Sequence, residues 1–303
     1  MNPALAAGGW ISDYKPGKIN VGHNTGRQES FMKVVLRSLL YLGIVALGAV
    51  PCAGAQQSQA GKLKGNFNAG KAAFPRYCNG CHGVRGDGNG TLAPYLDPKP
   101  RDYTMGIFKC RSTPTGTLPT DEDLYNTMSR GFVTAAMPPW APLPPQTRMD
   151  IVVYLKGFSP RFAAEAPGVP IAIPMETAIT IESIRRGADL YKELECARCH
   201  GVKGHGDGPD APALVNIKHQ PLPPYDFTVT ERFKCGVTNS DLYRTFMTGM
   251  DGSPMLSYAD KLSPDQAWDL VHYTRTLQVG HKNKENSVLT AASGRNTVAP
   301  SQP

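Results

Sequence analysis

Long apolar runs are scarce in this 303-residue chain. The stretch Ser38 to Val50 is uncharged but only thirteen residues long, and a membrane-spanning helix needs roughly 20. No alternating apolar and polar pattern stands out, so a strand-built fold has no support. No predicted helix carries a Lys/Arg run, which leaves nucleic-acid binding with little basis. Seven cysteines are too few for a disulfide-dense miniature scaffold, so their spacing has to be read rather than their number. What is present is ordinary: 41% apolar and 19% charged residues. That composition is enough for a buried core, excludes wholesale disorder, and at this length predicts two domains.

The amino-terminal fifth reads as addressing. Lys33 and Arg37 precede the uncharged run, and the small-residue site Ala53-Gly54-Ala55 follows it. This is the charged, apolar, cleavage-site order of a secretory signal. Residues 1–55 are therefore expected to be an amino-terminal extension and signal peptide, cleaved after Ala55, with an uncleaved membrane anchor as the alternative. Pro51 disfavours a lipid anchor on Cys52. Met32-Lys33 would make an ordinary start, so the residues before it are expected to be an over-extended reading frame. The whole chain carries +7. Loss of residues 1–55 leaves 27 basic and 23 acidic side chains, a net +4 and a weak field.

The rest contains one unit twice, at an offset of 118 residues. Cys78-Asn79-Gly80-Cys81-His82-Gly83-Val84 lies over Cys196-Ala197-Arg198-Cys199-His200-Gly201-Val202. The register continues through Gly86, Gly88, Gly90, Ala93 and Pro94. After an insertion in the second half, Phe108-Lys109-Cys110 matches Phe233-Lys234-Cys235, and the offset then returns for Gly131 over Gly249 and Met137 over Met255. Each unit is long enough to close its own core. The reading divides the chain into domain 1 at 56–160, a Pro-rich linker at 161–177, domain 2 at 178–281, and a disordered tail at 282–303. Pro160, Pro167, Pro170 and Pro174 are expected to hold the stretch between the domains extended.

Helices are predicted over Gly70 to Tyr77 and Ser183 to Leu194, leading into the two Cys motifs, and over Asp121 to Ser129 and Ser240 to Thr248. A closing helix follows in each half. Ala267, Leu270, Val271 and Thr274 share one face, and Met149, Val152 and Val153 begin the same stripe.

The chemistry is in Cys78-Asn-Gly-Cys81-His82 and Cys196-Ala-Arg-Cys199-His200. Cys-x-x-Cys-His reads as a c-type haem attachment. Two thiols about one helical turn apart can reach the vinyl groups on one porphyrin edge, and the next imidazole then falls beneath the iron. A redox dithiol would need strand and helix units around it, and a zinc site a second ligand pair close by. Neither is seen. Met137 and Met255 each lie 59 residues after the first Cys of their half; both are expected as axial ligands. Met128, Met247 and Met250 are the competitors, the first two reading as core.

On these motifs each half resembles a class I cytochrome c domain, over roughly Gly65 to Leu277. The pair is similar to di-haem bacterial cytochromes c that shuttle electrons in the periplasm or serve as subunits of larger oxidoreductases. The resemblance implies a mainly α fold, two tandem cytochrome c domains and two covalently attached haem c groups. It also implies that a proline carbonyl orients each proximal histidine. Pro100 and Pro224 are the expected residues, with Pro98 and Pro223 as rivals. Leu256 departs from the pattern, standing where the first half has Pro138.

Cys110 and Cys235 remain. They read as free, partly buried thiols, with an interdomain disulfide and thiolate ligation to iron as alternatives. His205, His219, His272 and His281 are expected on the surface or in loops. The function expected is single-electron transfer between redox partners such as a dehydrogenase, reductase or oxidase, with association with the inner-membrane respiratory chain as an option and no catalytic residue of its own. The rival is a haem enzyme, a di-haem peroxidase or sulfur-compound oxidase, with one exchangeable iron ligand. Four haem propionates would offset the +4, so docking should depend on local patches.

Overall fold

Asn66 opens the first long helix. Its side-chain oxygen accepts from the Ala69 amide at 3.0 Å, satisfying one of the amides that a helix start leaves unpaired. Helix α1 (Phe67–Tyr77) therefore begins three residues before the expected Gly70. The computed structural model describes residues 62–132, 135–229 and 233–278. The expected signal segment with Cys52, the tail from 282 and His281 lie outside the described residues.

After α1 come α2 (Asn79–His82), a 3-10 turn at Ala93–Tyr95, α3 (Asp121–Arg130), α4 (Pro145–Lys156) and the single turn α5 (Arg161–Ala164). The second half repeats the order with α6 (Ile181–Glu193), α7 (Cys196–His200), a 3-10 turn at Ala211–Ala213, α8 (Asn239–Thr248) and α9 (Pro264–Thr276). Among the described residues there are isolated β-bridges and no strands. Helices α3 and α8 both start with a reciprocal cap, Thr120 with Asp123 and Thr238 with Asp241, so their acidic amino termini are capping devices as well as partners of the helix dipole.

Each half has its own core. Phe74, Leu124, Tyr125, Met149, Ile151 and Val152 gather in the first, and Leu190, Tyr191, Leu242, Tyr243, Trp268 and Leu270 in the second. Helix α1 packs on α4, and α6 on α9. Both crossings need a glycine. A Cβ on Gly70 would sit 2.0 Å from the Asp150 carbonyl oxygen, and one on Gly187 would sit 2.0 Å from that of Asp269.

The two halves are covalently joined. Cys110 and Cys235 form a disulfide, S–S 2.11 Å, which corrects the expectation of free thiols. Sequence spacing could not show that equivalent loops of the two repeats face one another. Beside the disulfide, Arg111 donates to the Thr248 carbonyl at 2.6 Å and to Asp251 Oδ1 at 2.8 Å. Lys218 pairs with Asp102 at 2.8 Å. The connecting segment docks on both halves: the Ile171 amide donates to Ser112 O at 2.8 Å, and Ile173 packs against the second core.

His272 also departs from expectation. It is fully buried on α9, with Nδ1 3.0 Å from Ser183 Oγ and Nε2 3.4 Å from Glu176 Oε1. The apolar stripe of α9 suggested the buried face, but a lone histidine inside it reads in sequence as polar. His205 and His219 are exposed, as expected.

Candidate haem sites

Each Cys-x-x-Cys-His forms its own short helix at the end of a long one. The Cys78 amide donates to Phe74 O at 2.8 Å, closing α1, and the His82 amide donates back to Cys78 O at 2.9 Å. Gly83 and Gly201 then end the two turns with the same backbone, φ 76° in each. The glycine-rich run that follows wraps the motif: Gly88 N donates to His82 O at 2.9 Å, and Gly206 N to His200 O at 2.8 Å. Tight turning beside the histidine is thus the role of Gly204 to Gly208.

Burial pushes the Cys78 thiol up to about 12 and the Cys196 thiol to about 11. Thiols held this firmly protonated are poor redox dithiols, which act as thiolates. Among the described residues no group of three or more His, Cys, Asp or Glu side chains could hold a metal ion by itself, so the zinc alternative gains no second ligand pair.

Both imidazoles are oriented by a backbone carbonyl. His82 Nδ1 donates to Arg101 O and His200 Nδ1 to Tyr225 O, each at 3.0 Å. These bonds put the ring proton on Nδ1 and the lone pair on Nε2. The expected acceptors were Pro100 and Pro224, each one residue short. Their carbonyls face the glycine loop instead, 2.7 Å and 2.9 Å from where a Cβ on Gly88 or Gly206 would lie. The next carbonyl along the chain reaches the ring.

The two sites differ in the ring stacked on the histidine. Tyr103 lies on His82 with centroids 4.5 Å apart, and its hydroxyl is 3.1 Å from Nε2. Phe227 takes the corresponding place on His200 at 4.3 Å and brings no hydroxyl.

One cavity in each half is lined by the motif and the expected methionine. The first is lined by Cys78, Cys81, His82 and Met137, with Phe74, Tyr103 and Trp140. The second is lined by Cys196, Cys199, His200 and Met255, with Tyr225, Phe227 and Tyr258. The methionine loops close identically. Phe132 N donates to Met137 O at 3.0 Å, Met250 N to Met255 O at 2.9 Å, Trp140 N to Met128 O at 3.1 Å, and Tyr258 N to Phe246 O at 2.9 Å. Leu256, although it replaces a proline, leaves this pattern intact. Met128 is buried in the first core and touches its cavity, Met247 packs against the second core, and Met250 lines the second cavity. Met105, which the spacing did not single out, lines the first.

These donors fit a haem: an apolar, aromatic-rich cavity, two thiols and an oriented imidazole on its wall, and a soft thioether facing the same space. A mainly helical fold carrying this pocket twice defines a c-type cytochrome with two domains.

Comparison with known proteins agrees. Residues 184–278 match the family described as cytochrome c, and residues 65–155 match the family described as cytochrome C oxidase, cbb3-type, subunit III. No match was found among curated proteins. A chain of the Kuenenia stuttgartiensis reducing HAO-like protein complex Kustc0457/Kustc0458 is similar at 40% identity and a TM-score of 0.69, over 71% of this chain and 98% of that one. The chain belongs to the cytochrome c family, as a di-haem class I cytochrome c. Cytochrome c domains bind covalently attached haem c, so two domains take two haems, and the function they imply is haem-based electron transfer.

Proposed function

We propose that the chain is a periplasmic electron-transfer protein in which Cys78, Cys81, His82 and Met137 would hold one haem, and Cys196, Cys199, His200 and Met255 another. The observation carrying this reading is that each cavity brings together the thiols, the imidazole and the one methionine of its half that shares the repeat's spacing. We further propose the boundaries 56–160 and 178–281 for the two domains, joined through 161–177.

When bound, each haem supplies one-electron chemistry at its iron. The protein's part is positioning and insulation. The Arg101 and Tyr225 carbonyls hold each imidazole in the tautomer that presents Nε2. Met137 and Met255, on loops pinned at both ends, offer a ligand to iron in either oxidation state, which favours outer-sphere transfer over substrate binding. Tyr103, Phe74 and Trp140 in one site, and Phe227, Phe233 and Tyr258 in the other, give the cavity a ring-rich wall.

Redox protein partners are supported by the similar chain, which belongs to a protein complex. That membership supports reading the protein as an electron-transfer subunit or docked partner. Among the described residues no helix is long and apolar enough to cross a membrane. The export signal read in residues 33–55 is the basis for placing the protein in the periplasm.

The test is Met137→Ala and Met255→Ala, made separately in the haem-loaded protein. Each is expected to abolish one of two far-red Met-to-iron charge-transfer bands and to lower one midpoint potential, leaving the other nearly unchanged. Retention of both bands in either variant would reject that methionine as a ligand.

A further inference from the structure

The two cavities share a wall. Pro98, Lys109, Leu222 and Lys234 line both of them. Lys109 and Lys234 are equivalent residues of the repeat, each directly preceding one cysteine of the disulfide that joins the halves. Among the described residues lining the second cavity, these two are the only Lys or Arg side chains, and one of them belongs to the first half. The first cavity has three further cations: Lys99 donates to the Ala93 and Pro94 carbonyls, Lys218 pairs with Asp102, and Arg101 lines the first cavity but not the second.

Both lysines are half-buried, and among the described residues neither has a carboxylate within ion-pair distance. Two unpaired ammonium groups side by side in a low-dielectric wall are costly, since burial penalises each charge and the pair repels. The Lys109 ammonium is accordingly pushed down to about 7 by burial and by Lys234 and Arg101, and burial lowers Lys234 as well. Such a pair calls for anions on both of its sides. A haem carries two carboxylates on one edge, and the remaining wall of the second cavity includes the acidic Asp97, Asp226 and Glu195 and no further Lys or Arg.

We infer that Lys109 and Lys234 form a single cationic bridge between the two haem sites, receiving the carboxylate edge of each haem and coupling the two sites electrostatically. The inference rests on the haem attachment proposed above. A positive charge beside a haem favours the reduced iron, and a charge facing both cavities acts on both potentials. The disulfide fixes the two lysines at the junction, so each half supplies part of the other's binding site.

The experiment is spectroelectrochemical titration of the haem-loaded full chain, unsubstituted and as Lys109→Gln and Lys234→Gln singly, with haem counted by mass spectrometry. Each single variant is expected to lower both midpoint potentials by comparable amounts, and Lys109→Arg and Lys234→Arg to restore them. A shift confined to the haem of the substituted half, or no shift in protein carrying two haems, would overturn the bridge. Where a glutamine variant loads haem poorly, the bridge predicts loss at both the Cys78/Cys81 and the Cys196/Cys199 peptides, with recovery in the arginine variant; loss at one peptide alone counts against it. Fewer than two haems on the unsubstituted protein would instead defeat the attachment itself.

Discussion

Arg111 brings a guanidinium into the junction between the halves with 1% of its surface exposed. Burial lowers its pKa, while Asp251 holds the charge in place. Asp251 also accepts from Thr115 Oγ1 at 2.7 Å and from the Gly116 amide at 2.8 Å, so one carboxylate satisfies three donors. Removing one partner of a buried pair strands the other charge. Asp251→Ala is expected to destabilise the protein by about 3 kcal/mol, near the lower end for such pairs because Asp251 keeps some solvent contact; a loss under about 1 kcal/mol in denaturant titration would place the pair with surface salt bridges. His272 gives a pH-dependent case. Desolvation pulls its pKa below the ordinary 6.5, although Glu176 and Asp269 push the other way. Between the folded and unfolded values the unfolded chain binds more protons, so the contribution is fully present above 6.5 and declines as pH falls through that value. Denaturation midpoints should drop between about pH 7.5 and 5, and His272→Gln should flatten part of that drop; an unchanged slope would show that His272 does not titrate on unfolding. Of these residues the sequence disclosed little. The haem motif residues stood out because their chemistry demands fixed local spacing, whereas Arg111, Asp251 and His272 acquire partners 89 to 140 positions away.

The methionine loops show how an element repeats. Gly131 and Gly249 end α3 and α8 with φ of 68° and 65°, a region that favours glycine. A Cβ on Gly131 would also lie 2.6 Å from the Pro138 backbone, and one on Gly249 2.6 Å from the Ser257 amide. Gly131→Ala is therefore expected to displace the Met137 loop, weakening or removing the first haem's far-red band while the second persists. Full retention of both bands with unchanged stability would mean that the loop tolerates the displacement. Both glycines were legible because they keep the constant offset with their methionines. The crossing glycines, Gly70 and Gly187, were not, since their offset is one residue short. The cause is local: Glu195, with φ 55°, stands between α6 and α7, whereas α1 runs directly into Cys78. The extra residue slips the helix by one position relative to the motif. An alignment anchored on cysteines cannot see that compensation, because it is made in backbone conformation rather than residue type.

At the scale of the whole molecule, duplication predicted two cores, and the structure has two. What the repeat could not reveal is how the halves meet, since local pattern carries no information on which loops of two similar units face one another. The meeting place is the Phe-Lys-Cys segment of each repeat, closed by the disulfide and flanked by Arg111–Asp251 and Lys218–Asp102. The disulfide spans a sequence separation of 125, for which loop closure alone gives a ceiling of about 5 kcal/mol of stabilisation. Its larger consequence is cooperative. With the covalent joint and the buried pair intact, loss of one core exposes the other's flank, so the halves should unfold together. Cys110→Ser with Cys235→Ser removes the joint but leaves each core, cap and haem attachment untouched. Calorimetry of the haem-loaded protein should then resolve two transitions in place of one, the first at lower temperature than in the parent. A single transition in the double variant, shifted or not, would show that the noncovalent contacts at the junction suffice to make the two halves one cooperative unit.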